Sequence, residues 1–381
     1  MIPYGRHHLT EADRQAVLEA LNSGWLTGGP TVQAFEEDLA RVCQSSHVIS
    51  CANGTAALHL VAEAIGAPPG SWWICPSATF VASAQAGVYA GYRPVIVDVD
   101  PDTGLICPQA LEQLIEAARD HDAVVAAVVA VDLNGHPAPV ADLADLLDVY
   151  AIPIVRDAAH SLGGADGDGA PVGADGRVLA TTLSFHPVKL IAAGEGGAIC
   201  TDDEVFAERL RHLRSHAMTR DPGTPADYCV DAVGYNYRLS DIHAALGRSQ
   251  LARIDEKLAA RRAAAAQYRE GLAGIEGVQM VEPAEGTRSA WHLLSVLVEA
   301  GERWDFIAAL REAGVGAAHH YPPVHRQPVY TEVMPGLEGT CPGAESYCSR
   351  QVTLPLYESM TPKEVSQVIE TVRQISHANE S

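Results

Sequence analysis

His47-Val-Ile-Ser-Cys51-Ala-Asn-Gly-Thr-Ala-Ala-Leu-His-Leu-Val-Ala-Glu-Ala-Ile65 changes its pattern once. Residues 47–51 are a short apolar run that reads as a strand. Asn53-Gly54-Thr55 is a turn, and an Ala-rich helix follows over 54–65. Short apolar runs recur at 72–75, 94–97, 123–131, 152–155, 179–184 and 198–201, with helical stretches between most of them. Such alternation predicts a mainly parallel sheet with helices on both faces. Upstream, Thr10-Glu11-Ala12-Asp13 resembles a capping box, and residues 31–42 have helical spacing. Past Asp202 the pattern changes. Residues 202–215 read as a helix, and 240–272 as one long helix able to bridge two domains. A strand-like run at 291–298 then mixes with helices at 304–313 and 361–376. The expected fold class is therefore α/β. A large domain over 1–249, N-terminal segment included, is joined to a smaller α+β domain over 250–381.

The chain has 381 residues, of which 47% are hydrophobic and 19% charged. That suits about two globular domains whose cores need no disulfide or metal staple. No stretch has the roughly 18 uninterrupted apolar residues of a membrane span, and residues 1–10 are not a basic, apolar leader. The expectation is a cytoplasmic protein. Lys and Arg number 26 against 48 Asp and Glu, a net charge of −22. Such a surface repels nucleic acid and anionic membranes, yet leaves room for an anionic ligand in a local pocket. The eight cysteines include no Cys-x-x-Cys pair, and most read as small buried hydrophobes.

In open parallel sheets, ligands bind beyond the carboxyl ends of the strands. Polar turns follow five of the runs: Asn53-Gly54-Thr55, Pro76-Ser77-Ala78-Thr79-Phe80, Asp132-Leu133-Asn134-Gly135-His136, Asp157-Ala158-Ala159-His160 and Ser184-Phe185-His186-Pro187-Val188-Lys189. Together they predict a ligand crevice. Pyridoxal phosphate needs a lysine for its imine, an acid beside the ring nitrogen, a flat group over the ring and phosphate donors. Lys189, between apolar residues and glycines, suits the first role, because desolvation makes an amine nucleophilic. Asp157 suits the second, or else caps the following turn. Gly54-Thr55 opens a helix whose N–H groups can hold phosphate, and Ser184 can add a hydroxyl. Phe80 or His160 can stack on the ring; taken alone, Phe80 reads as a core aromatic. His319, His320 and His325 sit among prolines that exclude the i, i+4 ligand spacing of a helix. They read as a substrate-facing loop or ordinary loop histidines before a metal site.

With these residues assembled, the chain resembles the DegT/DnrJ/StrS family of sugar aminotransferases, with the fold-type I architecture. The resemblance runs from Ile2-Pro-Tyr4 and Gly24-Trp-Leu-Thr27-Gly-Gly-Pro30 through the turns above to Gly234-Tyr-Asn-Tyr-Arg-Leu-Ser-Asp241 and His320-Tyr-Pro-Pro-Val-His325. The stretch Ser184–Lys189 with Gly194-Glu-Gly-Gly197 is its most specific part. The chain looks most like the transaminases of the pseudaminic acid pathway, which aminate C4 of a UDP-linked 4-keto-6-deoxy N-acetyl sugar. The resemblance implies pyridoxal 5′-phosphate, with Lys189 as Schiff-base lysine and proton shuttle and Asp157 at the ring nitrogen. His160 lies beside the ring and Phe80 stacks on it. Gly54, Thr55 and Ser184 contact the phosphate, as does Asn236 from the other subunit, which makes the expected unit a homodimer with shared sites. Tyr4, Thr27, His320, Tyr321 and His325 are expected at the substrate. Related dehydratases carry histidine in place of the lysine; Lys189 is present here. Ala192-Ala193 stands where many members carry hydroxyl residues, which is expected to alter the pocket wall.

The expected reaction is a ping-pong transfer from an amino acid, glutamate by resemblance, to a nucleotide-linked keto sugar. Two alternatives stand beside it: a keto cyclitol or non-nucleotide sugar as acceptor, and a cofactor-binding sensor without turnover.

Overall fold

The computed structural model describes residues 1–173, 176–220, 227–333 and 340–379. Its central sheet has seven strands: β1 (His47–Cys51), β2 (Trp72–Pro76), β3 (Arg93–Val97), β4 (Val125–Val131), β5 (Ile154–Asp157), β6 (Ala180–Ser184) and β7 (Gly197–Thr201). They lie in the order β1-β7-β6-β5-β4-β2-β3. From β3 to β6 all neighbours are parallel. β7 is antiparallel to both β6 and β1. Its reversal has a local cause. Residues 185–196 form no crossover helix but a loop closed by Phe185 N–H donating to Gly196 O at 2.8 Å, so the chain returns beside the strand it left.

The strand order reverses between β2 and β4, so their carboxyl ends flank a crevice. Register brings side chains from three strands to it. Val131 of β4 lies opposite Asp157 of β5, which lies opposite Thr182 of β6. Alternation along β5 sends the neighbouring Arg156 to the opposite face. There it is fully buried between Asp132 and Asp166, its Nε 2.8 Å from Asp132 Oδ2 and its Nη2 2.7 Å from Asp166 Oδ1.

Of the first four helices, α1 (Glu11–Asn22), α2 (Pro30–Cys43), α3 (Gly54–Ile65) and α4 (Ala82–Tyr89), the last two line the crevice. The capping box at Thr10 and Asp13 starts α1 as read. α3 is buried on nearly every side, which its alanines permit: Ala56, Ala57, Ala62 and Ala64 let it pack against both the sheet and α4.

Three sequence readings need correction. The predicted helix over 240–272 is two helices, Asp241–Leu251 and Ile254–Leu272, broken at Arg253 with φ −112° and ψ 20°. No Gly or Pro marks the break. Arg253 instead bonds Asp13 at 2.8 Å, which ties the joint to α1. The run at 291–298 shortens to Leu294–Leu297, with Trp291 at φ +51°. The backbone of Ala290 and Leu293 donates to the Gly135 and Asn134 carbonyls rather than to a neighbouring strand. Finally, the turn 132–136 offers the crevice no polar side chain. Asp132 is bound to Arg156 and Ser161, Asn134 to Tyr347, and His136 to Ser289, all buried. Their hydrogen bonds to distant segments, unreadable locally, take them inward.

Farther along, the helices Ile254–Leu272, Arg303–Glu312 and Pro362–Asn379 cover a three-stranded antiparallel sheet of Gln279–Met280, Leu294–Leu297 and Gln351–Leu354. Most of their apolar residues form a cluster of their own, while Leu297 and the adjoining Val281 pack into the cluster of the large sheet. Ile2 joins it, and its N–H donates to Gly314 O at 2.9 Å. Among the described residues, no helix is long and apolar enough to cross a membrane.

Candidate active site

A cavity of about 680 Å³ opens at the carboxyl ends of β2, β4, β5 and β6. Asp157 enters it from the last position of β5 and is 6% exposed. Ser83 Oγ–H donates to its Oδ2 at 2.7 Å, and Ala159 N–H to its Oδ1 at 3.2 Å. Burial raises the Asp157 carboxyl above its usual range, while these two bonds and the Lys189 charge oppose the rise. Lys189 lines the same cavity from the 185–196 loop, its backbone N–H held by His186 O at 2.8 Å. Desolvation in the cavity wall pulls its ammonium down to about 8, against the attraction of Asp157. The amine is thus deprotonated in part near neutrality and mostly so above about 8.

The amino end of α3 forms a cradle. Asn53 Oδ1 caps Ala56 N–H at 2.8 Å, and Gly54 and Thr55 stand at the cavity with the first N–H groups of the helix. Space there is fitted to glycine. A Cβ on Gly54 would come 2.9 Å from Ser184 Cβ, and one on Gly197 would come 2.4 Å from Asn53 O. Gly54→Ala should therefore push Ser184 out of the cradle and weaken pyridoxal phosphate binding by about tenfold, or about 1.4 kcal/mol. Titration of the apoprotein by cofactor absorbance measures this.

Aromatic and histidine side chains close the cavity. Phe80 is 54% exposed at its rim, not in the core, with its ring centroid 5.6 Å from that of Tyr321. Tyr321 Oη lies 3.3 Å from His160 Nε2. The His160 Nδ1 is buried and has no hydrogen-bond partner within the protein. Burial and the Lys189 charge hold His160 well below its ordinary value and His320 down to about 4, so both rings are neutral at physiological pH. Tyr4 reaches the same wall.

The other expected site residues lie elsewhere. Thr27 is exposed and bridges Ser240 through its backbone, and Asn236 is exposed and bridges Ser215. Neither lines this chain's cavity. His325 is fully buried away from it. Its Nδ1 lies 2.5 Å from Ser77 Oγ and its Nε2 2.7 Å from Glu345 Oε1. Ser, His and Glu in line resemble a hydrolase triad, but Ser77 is fully buried and no substrate reaches it. The array instead pins the segment that carries His320 and Tyr321 to the end of β2. His325→Ala strands the buried Ser77 hydroxyl and takes one of two partners from Glu345, which keeps Arg326, and should cost about 1–3 kcal/mol of stability, read as a lower urea midpoint. The three loop histidines also diverge: His319 faces Trp304 while His320 faces the cavity. Ala192 and Ala193, within the 185–196 loop, are buried and do not line the cavity.

Sequence reasoning missed two neighbours. Ser83 sits in an Ala-rich helix with no motif around it. His292, its ring 4.4 Å from that of His160, precedes a strand that reads as plain core.

The residues present fit pyridoxal phosphate. The glycine-lined helix end offers N–H donors for its phosphate, Asp157 a carboxylate for its ring nitrogen, and Lys189 a nucleophilic amine. The unpartnered His160 Nδ1 awaits a polar group.

Comparison with known proteins agrees with this chemistry. The family model for DegT/DnrJ/EryC1/StrS aminotransferases matches residues 7–373. Among solved structures, PseC of Helicobacter pylori, an aminotransferase involved in the biosynthesis of pseudoaminic acid, has a TM-score of 0.92 at 27% identity, covering 99% of both chains. The sugar aminotransferase Spr1654 of Streptococcus pneumoniae in its PLP form has a TM-score of 0.90 at 28% identity, covering 99% of both. DesV of S. venezuelae has a TM-score of 0.86 at 33% identity, covering 96% of this chain and 94% of its own. The chain belongs to the DegT/DnrJ/EryC1/StrS aminotransferase family and is a pyridoxal-phosphate-dependent aminotransferase.

Proposed function

We propose that this aminotransferase moves an amino group from an amino acid, glutamate first, to a keto sugar carried by a nucleotide, a UDP-linked 4-keto-6-deoxy-N-acetylhexosamine. The observation that carries the reading is one cavity lined by the Lys189 amine, the Asp157 carboxylate and the N-terminus of α3. The sugar acceptor is supported by the PseC and Spr1654 likenesses.

Pyridoxal phosphate, when bound, supplies an aldehyde that takes up the amine and a ring that withdraws electrons. The chain's own residues do the rest. Gly54, Thr55 and Ser184 hold the phosphate, and Phe80 and His160 flank the ring. Asp157 keeps the ring nitrogen protonated. Lys189, neutral above about 8, takes a proton from the donor's α-carbon and delivers it to C4′ of the cofactor. With the keto sugar it runs the same transfer in reverse. Tyr4, His320 and Tyr321 form the acceptor wall.

The proposed working unit is a homodimer in which Asn236 and Thr27 serve the partner's site. We also propose residues 1–249 and 250–381 as its two domains, hinged near the helix break at Arg253.

One observation favours the second acceptor class, a keto cyclitol or free keto sugar. Among the described residues lining the cavity, Lys189 is the one Lys or Arg, so this chain's cavity brings no further cation to a diphosphate. A 2-oxoglutarate-release assay with matched acceptors decides. Turnover with a UDP-linked keto sugar and not with its free counterpart supports the nucleotide reading; the reverse pattern moves the cyclitol class ahead.

A further inference from the structure

Thr79 lies in the bend just before α4 and Ser83 in its first turn, and neither is reached by solvent. Ser83 has a single hydroxyl proton and gives it to Asp157 Oδ2, at 2.7 Å. The 2.8 Å contact between Thr79 Oγ1 and Ser83 Oγ is then a bond in which Thr79 donates. The order Thr79 to Ser83 to Asp157 is thereby fixed. Hydrogen bonds in series polarise one another, and one that ends on a charged acceptor is the stronger kind. Ala159 N–H meets the other carboxylate oxygen, so the plane of the carboxylate is set from both sides.

We propose that Ser83, oriented by Thr79, is a positioning residue that holds Asp157 ionised and turned toward the cofactor's ring nitrogen. This rests on the reading that Asp157 serves that nitrogen. The charged and titratable groups facing Asp157 are few. Lys189 comes from the 185–196 loop, Cys75 from β2 and Tyr321 from the segment past His320. Of these, only Lys189 favours the carboxylate. Burial works against it, so the Ser83 bond is a main counterweight. Without that bond the carboxyl protonates at higher pH. The ring nitrogen then has a poorer partner, and activity on the acid side is lost sooner as pH falls.

The test uses the holoenzyme of wild type, Ser83→Ala, Ser83→Thr, Thr79→Val and Asp157→Asn. Cofactor absorbance is followed against pH, and the half-reaction with glutamate in stopped flow. Ser83→Ala should slow the half-reaction about 10- to 100-fold and move the acid limb of its pH profile up by about one unit. Thr79→Val, which keeps the serine hydroxyl, should shift both in the same direction by less. Ser83→Thr should restore them. Ser83→Ala with wild-type rate and acid limb overturns the proposal. If Ser83→Ala does not fold, an unshifted acid limb in Thr79→Val overturns it. Asp157→Asn separates the two levels. If it matches wild type in spectrum and rate, the reading of Asp157 itself falls and takes the proposal with it. If it is impaired while Ser83→Ala is not, only the role of Ser83 falls.

Discussion

Replacing Lys189 with alanine is expected to lower kcat for transamination by at least about 10⁴-fold, because one side chain performs two tasks. In the proposed reaction its amine holds the cofactor aldehyde between turnovers and moves the proton in each half-reaction. The geometry leaves no understudy. Lys189 is the one Lys or Arg among the described residues lining the cavity, and burial alone, which outlasts the loss of the lysine, gives His160 and His320 poor proton affinity. The desolvation that pulls Lys189 down to about 8 adds a pH signature. In the apoprotein, the rate of reaction with added pyridoxal phosphate should rise with pH and level off above about 8, as the ammonium loses its proton. Lys189→Ala should lack this dependence. Steady-state 2-oxoglutarate release and stopped-flow cofactor binding check the two halves.

Asp157→Asn is expected to give the second largest loss, about 10²- to 10³-fold in the half-reaction with glutamate, with the cofactor still bound. Asparagine keeps the size of the side chain and its place at the end of β5, so the cradle at α3 and the 185–196 loop need not move. What goes is the negative charge proposed to keep the ring nitrogen protonated. The variant's cofactor band should therefore titrate differently from wild type. Asp157→Glu should not rescue it, since the longer side chain carries the carboxylate away from Ser83 Oγ and Ala159 N–H, which fix its place.

How far the sequence could be read depended on whether the cause was local. The strands announced themselves because short apolar runs alternate with helices, and the turns at 53–55, 157–160 and 184–189, read as a crevice at the strand ends, line one cavity. The turn at 132–136 looked the same and is not. Its Asp132 is drawn inward by Arg156, whose direction follows from alternation along β5 and from partners ten and twenty-four residues away. Long-range contacts also hide Ser83, which meets Asp157 across 74 residues, and His325, which meets Ser77 across 248. The Pro-rich stretch around His325 reads as an exposed loop because no local pattern signals that a buried serine waits for its ring. The helix break at Arg253 escaped for the same reason, since an ion pair to Asp13 leaves no Gly or Pro behind. Phe80 shows the opposite error. Composition favours burial for an aromatic, yet the crevice keeps this one at its rim.

The central claim is that Lys189 and Asp157 make this cavity a transaminase site. Absorbance of the purified protein with added pyridoxal phosphate tests it most directly, before and after glutamate and then with a UDP-linked keto sugar. The account predicts a band near about 420 nm that moves to about 330 nm with glutamate, returns with the keto sugar and is absent in Lys189→Ala. A protein that develops no such band, or one whose band is unchanged in Lys189→Ala, would contradict it.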